Sequence, residues 1–361
     1  MKSTDFKLRL GASLLLVATG LLSAFNATAE SKGVAYVSNQ NGGVSVIDLE
    51  TLDIAGNLDP QAKSPRGLGI TADGKLLITA NKDDGNISII NTATGKLVRH
   101  IAIGKNPEFV RIHGDKAFVS FEPSSKGGPP PKPGEIVKAD NNKENGNEPN
   151  ELARIAIVDL KLGKKVREIV GGPETEGIEF SPDGKKLIIT NEADNTVTVH
   201  NISTGKLLKT IPTKAFGDRP RGIKISPDGK FYVTTLEFGN KFLVLDSEFK
   251  PVRTVDTGKA PYGISFDPEG KRIYVASSKE KALQVFDAKS FAKIKDIPTG
   301  DRCWHFSFTP DGKQILLACG KSDEVQVIDV EKLETIKRIS DKETPWGVIT
   351  YPKSFGSLDK P

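Results

Sequence analysis

Seven positions recurring at 41–45 residues, a repeat-length period stretched to 68 between Glu108 and Glu176, carry the side chains of this chain best suited to chemistry. They are Arg66, Glu108, Glu176, Arg221, Tyr262, Trp304 and Trp346; each of the first six stands seven residues before the acidic residue of a repeated turn. Two arginines, two glutamates and three aromatics, including both tryptophans of the chain, have the composition of a ligand site, with apolar faces for packing and a few convergent charges for orientation. The same set also reads as a structural ring, because two guanidinium groups and two carboxylates can neutralise one another. Glu108 and Glu176 could offer oxygen ligands to a hard cation, although the neighbouring arginines oppose it.

A second cluster is the string Asp301-Arg302-Cys303-Trp304-His305. Cys303 and Cys319 are the only cysteines, and Pro310-Asp311-Gly312 turns the chain between them. If Thr309 pairs with Lys313, Cys303 falls opposite Cys319 on adjacent antiparallel strands, with Cβ atoms about 4.5–5.5 Å apart. In an oxidising compartment this predicts a disulfide. A soft metal site from Cys303, His305 and Cys319 lacks a fourth ligand in sequence, and two buried free thiols are the third option. Of the four histidines, the repeat maps only His305 to the same mouth. Local signatures of serine hydrolases, zincins and P-loop enzymes are missing. No C-x-x-C-H string attaches a c-type haem, and no resident metal is expected. The only methionine is Met1, which excludes a thioether copper carrier.

The elements that must position these residues are short strands. Runs such as Ile188-Ile189-Thr190-Asn191 and Thr196-Val197-Thr198-Val199 alternate β-branched residues between Asp, Asn and Gly, the pattern of strands and hairpins. The Asp-Gly-Lys turns predict three-residue hairpin loops with left-handed glycine. Four strands in about 42 residues is the signature of a propeller blade. Turns at Asp73, Asp115, Asp183, Asp228, Glu269 and Asp311 count six blades. The opening strand near Trp346 and three strands from Val34 to Asn57 make a seventh, so the all-β fold is a seven-bladed β-propeller closed by strands from both termini.

Residues 1–29 read as a signal peptide: Lys2, Lys7 and Arg9, then an apolar run from Gly11 to Phe25, then Ala27-Thr28-Ala29. The propeller is expected over 30–361, in the periplasm or secreted, with no membrane span. Setting the leader aside leaves 48 basic against 45 acidic residues, too near neutrality to favour nucleic acid as a partner. Residues 122–150 hold a proline cluster and an Asn/Lys/Glu run with almost no apolar residue; they are expected to be a disordered insert between the second and third strands of blade 3. Topology hangs this insert over the mouth.

Strand two of the blades reads Tyr36-Val37-Ser38-Asn39, Ile78-Thr79-Ala80-Asn81, Ile189-Thr190-Asn191, Tyr232-Val233-Thr234-Thr235 and Tyr274-Val275-Ala276-Ser277. This resembles the YVTN-repeat seven-bladed propellers, in particular the YncE-like periplasmic proteins, in the superfamily of the nitrite reductase haem-binding propeller. The resemblance implies a fold shared by many functions. It also implies a haem-type tetrapyrrole as a candidate cofactor, with His305 as axial ligand and Arg66, Arg221 or Arg302 on its carboxylates. Some YncE-like relatives bind single-stranded nucleic acid. The reading of the whole is a non-enzymatic binding or scaffold propeller. It meets a protein or small-molecule ligand through Arg66, Glu108, Glu176, Arg221, Tyr262, Trp304, His305 and Trp346. The alternative is a redox-related protein that carries or modifies a tetrapyrrole or assists a partner dehydrogenase.

Overall fold

Period-2 runs of β-branched residues interrupted by Asp-Gly and Asn-Gly can only form short antiparallel strands, and the computed structural model is built of these. It describes residues 32–122, 152–341 and 343–361. The expected signal peptide lies outside the described residues, as does all of the expected 122–150 insert except Glu122. Among the described residues, no helix is long and apolar enough to cross a membrane.

Seven four-stranded antiparallel sheets form a ring. Blade 1 combines Val34–Asn39, Val44–Asp48 and Asp53–Leu58 with Pro345–Tyr351 as its innermost strand, so the ring is closed by both ends of the propeller. The innermost strands of blades 2 to 7 are Pro65–Ile70, Val110–His113, Thr175–Phe180, Pro220–Ile225, Pro261–Phe266 and Cys303–Phe308. The inner and middle strands are almost wholly buried, while the outermost, such as Leu97–Ala102 and Lys293–Pro298, face solvent. Apolar clusters such as Ile78, Ile89, Val110 and Val119 fill the space between neighbouring blades.

Two local devices aim the inner strands. The Asp-Gly and Glu-Gly turns hold glycine at positive φ, from 65° at Gly184 to 72° at Gly229, where a Cβ is disfavoured. Their closing bonds, Thr71 N to Leu76 O and Thr309 N to Gln314 O among them, enclose four residues, one more than the three expected. Side chains of the turn hold the wider loop: Asp73 Oδ1 accepts from both Thr71 Oγ1 and Lys75 N. The register therefore starts one residue off the expected one. A β-bulge then restores it, so that Phe306 pairs with Leu317 yet Cys303 still pairs with Cys319. The same bulge recurs between Pro65 and Leu68, Thr175 and Ile178, Pro220 and Ile223, and Pro261 and Ile264.

Candidate functional site

Each of these bulges contains one of the seven repeat-aligned residues. An extra residue bends the strand and re-aims its side chain, and here the side chains turn toward the axis of the ring. Two positions upstream, every blade has a non-glycine residue in the left-handed region: Ser64, Asn106, Glu174, Arg219, Ala260, Arg302 and Thr344, with φ between 50° and 64°. In six blades that residue's carbonyl accepts from the amide just after strand two, as Arg302 O does from Gly320 N. The repeat thus pins seven side chains at one mouth.

Arg66, Glu108, Glu176, Arg221, Tyr262, Trp304 and Trp346 do converge there, and they converge on each other. Arg66 pairs with Glu108, donates to Gln40 Oε1 at 3.0 Å and lies 5.9 Å from the Trp346 ring centroid. Arg221 pairs with Glu176, donates to the Tyr262 hydroxyl at 3.0 Å and stacks on that ring at 4.5 Å. Tyr262 donates its hydroxyl proton to Glu176. Trp304 packs over Gly320, where a Cβ would lie 2.0 Å from its ring, and carries Arg302 at 5.4 Å. Exposure is only 2% at Trp346, 3% at Glu176 and 9% at Arg221. The mouth is a closed, self-paired cluster.

A second ring supports the first and was not singled out from the sequence. Glu192 and Glu237 follow strand two of blades 4 and 5, at the position that Gln40 holds in blade 1. Arg219 bonds Glu237 at 2.8 Å and pairs with Glu192, and Arg221 reaches Glu192 at 2.5 Å and Glu237 at 2.8 Å. With Glu174 and Glu176, four carboxylates face two guanidinium groups. Burial and the neighbouring Glu176 push Glu192 well above the ordinary carboxylate range. Burial also raises Glu176, but Arg221 and hydrogen bonds from Glu192 and Tyr262 hold it at about 2. Aligning the residue after each strand two would have exposed this ring.

Below the mouth lies the throat. The residue after each ring position is glycine in five blades, and phenylalanine or histidine in the other two, Phe109 and His305. At Gly67, Gly177 and Gly263 a Cβ would fall 2.3–2.4 Å from the backbone oxygen of the next blade, so adjacent inner strands touch there. Phe109 and His305 instead project into the throat, with ring centroids 5.3 Å apart. His305 also meets Trp346 at 4.4 Å and Tyr262 at 5.3 Å. It is fully buried, its Nδ1 is 3.0 Å from Ser357 Oγ, and its Nε2 has no hydrogen-bond partner. Burial pushes its pKa down to about 3, so the ring is neutral.

The floor is polar. Arg111 bonds Glu179 at 2.9 Å, and Lys224 lies 3.5 Å from the same carboxylate; all three are at most 2% exposed. Burial pushes Glu179 up, but Arg111, Lys224 and Lys360 outweigh it and leave the carboxylate ionised. Burial and Arg111 lower Lys224 to about 7. Residues 354–360 of the chain's own tail fill the space between these groups, with Leu358 fully buried under the throat. Cys303 and Cys319 form a disulfide beside the throat and are not available as ligands. Among the described residues, no three His, Cys, Asp or Glu side chains are grouped to hold a metal ion. A cleft of about 530 Å³ lies on the opposite face between blades 6 and 7, lined by Asp267, Arg272 and Asp329 among others, and contains no mouth residue.

Residues 152–290 and 225–351 match the family described as the cytochrome D1 heme domain. No curated protein matches the chain in sequence. Several solved structures are similar in fold. The periplasmic gluconolactonase PpgL of Pseudomonas aeruginosa superposes with a TM-score of 0.70 at 17% identity, covering 90% of this chain and 99% of that one. Hydrazine synthase of Kuenenia stuttgartiensis gives 0.65 at 18% identity, over 86% and 99%. The dihydro-heme d1 dehydrogenase NirN, solved in complex with DHE, gives 0.63 at 17% identity, over 89% and 75%.

Proposed function

The chain belongs to the cytochrome D1 heme domain family, and from that premise we propose that it is a non-enzymatic binding propeller whose rigid mouth face receives a protein or small-molecule ligand. The observation that supports this reading is how the mouth uses its charge. Arg66 is paired with Glu108, and Arg221 with Glu176 and Glu192. The one histidine of the throat is neutral and enclosed by Phe109, Tyr262 and Trp346. A general acid, base or nucleophile has to reach a substrate; these groups reach one another. The arrangement suits a platform held stiff by a paired polar network, with ligand contact at the rim, where Arg302 rides on Trp304. The leader-like segment 1–29 and the strand-two YVTN pattern belong to the same proposal: a YncE-like protein acting in the periplasm or outside the cell.

The family also brings a tetrapyrrole into view. In this arrangement the mouth does not fit one. His305 has aromatic ring centroids at 4.4–5.3 Å on three sides, and two of the three arginines that would meet macrocycle carboxylates, Arg66 and Arg221, are already paired with glutamates. One observation keeps the second reading in play: Nδ1 of His305 is oriented by Ser357 while the buried Nε2 is unpartnered, which is how an axial histidine is held. The two readings separate in one experiment. Protein purified from its native compartment, and then titrated with haem, should show no Soret band that depends on His305. A band that disappears in His305→Ala would overturn the proposal in favour of a tetrapyrrole-carrying or tetrapyrrole-modifying protein.

A further inference from the structure

The blades are complete without the segment 352–361, because the ring closes at Pro345–Tyr351. Beyond it the chain turns back into the central channel and lies along the free edge of the innermost strand of blade 7, Cys303–Phe308. Phe308 N donates to Phe355 O at 2.8 Å, Ser357 N donates to Phe306 O at 2.9 Å, and Ser307 pairs with Gly356 in an antiparallel bridge. This is strand addition, the way extended peptides dock on an unpaired sheet edge, with side-chain pockets supplying specificity.

The pockets are built into the channel wall. Leu358 seats against Gly347, where a Cβ would lie 2.8 Å from its Cδ1. Arg111 donates to the Leu358 carbonyl, and Lys224 donates to the Asp359 carbonyl at 3.0 Å. The wall itself offers two buried cations, Arg111 and Lys224, against one carboxylate, Glu179. The tail meets this wall with charges of both signs: Asp359 lies 3.9 Å from Arg111 and 3.2 Å from the tail's own Lys353, and Lys360 lies 3.4 Å from Glu179. The seat is not fully used: Arg111 Nε and His305 Nε2 remain without hydrogen-bond partners.

We propose that the central channel is a peptide-binding site for an extended segment with a leucine followed by an acidic residue, and that residues 354–361 occupy it in cis as an exchangeable internal ligand. Free-edge pairing, an apolar socket at Gly347 and the approach of Arg111 to Asp359 together define that chemistry. The partner is a protein presenting such a segment. Because the tail is tethered, it competes at an effective concentration on the order of millimolar, so a partner segment enters only where it outcompetes or displaces the tail.

The test uses the full folded chain with a protease site inserted between Lys353 and Ser354, so that Lys353 is kept beside Asp359, cut after folding. The probe is a fluorescein-labelled peptide of residues 354–361. Expected is saturable uptake by the cut protein, at least tenfold weaker for the peptide with Asn in place of Asp359, because the buried ion pairs with Arg111 and Lys353 are lost. Equal binding of the two peptides, or no exchange with excess probe while circular dichroism stays native, overturns the proposal. Should the cut protein unfold, Asp359→Asn in the intact chain replaces it: it should admit the probe at a concentration at least tenfold lower than the unmodified protein. Uptake by neither, up to millimolar probe, overturns the proposal. These outcomes do not depend on whether the mouth above binds a ligand.

Discussion

Replacing His305 by Phe should remove a large share of the acid sensitivity of this protein. The imidazole is fully buried among Phe109, Tyr262 and Trp346, and burial drives its pKa from the ordinary 6.5 to about 3. Glu176 opposes this by raising it, while Arg221 and Lys224 lower it further. Above pH 6.5 the ring is neutral in both folded and unfolded chains and contributes nothing to pH dependence. Below 6.5 the unfolded chain takes up a proton that the folded chain refuses, so stability falls as the pH drops toward 3. One pKa unit is worth about 1.4 kcal/mol, so the loss reaches about 2 kcal/mol by pH 5 and about 4 kcal/mol at pH 3, with a limit of about 5 kcal/mol below that. Urea unfolding at pH 7.5 and pH 5 measures it as a double difference: the drop for the natural chain minus the drop for His305→Phe. The lost contact to Ser357 and the titration of Lys224 and the glutamates are common to both pH values or both proteins, so to first order they cancel. A double difference below about 0.5 kcal/mol, the scatter expected of independent effects, would refute the claim that His305 is buried neutral.

Three further outcomes are expected. Arg221→Ala leaves Glu176 and Glu192 buried with Arg219 as the main remaining cation; thermal or denaturant unfolding should show a loss of about 3–5 kcal/mol, and a loss under about 1 kcal/mol, the range of an exposed pair, would mean that the mouth network is dispensable. Gly67→Ala places a Cβ 2.3 Å from the Glu108 carbonyl oxygen and should cost about 1–3 kcal/mol by overpacking. Gly56→Ala meets no atom within 4 Å and should be neutral or stabilising by up to about 1 kcal/mol; equal effects at the two sites would contradict the blade-to-blade contact. Replacing Cys303 and Cys319 together by Ala opens a link spanning 16 residues and should lower stability by about 2–3 kcal/mol, read as a shift in denaturant midpoint; an unchanged midpoint would show that the hairpin alone holds these strands.

The architecture and the mouth ring were legible in the sequence because both are repetitive. A period of about 42 residues, one blade in length, writes the same local chemistry seven times. Asp-Gly turns and strand runs therefore locate every blade, and the residue seven before each turn falls at one mouth. The register was half legible. Counting the turn as three residues misplaces the pairing by one, and a bulge at the ring position puts Cys303 back opposite Cys319. Bulges depend on how a bent strand meets its neighbour, which the turn motif does not encode. Glu192 and Glu237 were within reach of the same alignment, one position after strand two, but the pattern of the inner strand does not point to them.

The amino-acid sequence by itself therefore determined a seven-bladed ring, which residues face its axis, and which two cysteines can join. Those properties follow from local propensity and from the period of the repeat, which act over a few residues. Only the tertiary structure decided that the mouth is closed rather than open. Whether Arg66 meets Glu108 or a ligand depends on distances between different blades, set when the ring shuts. It alone decided that residues 354–360 fill the channel, since nothing in Ser-Phe-Gly-Ser-Leu-Asp-Lys announces a partner until Arg111, Lys224 and the edge of Cys303–Phe308 are brought around it.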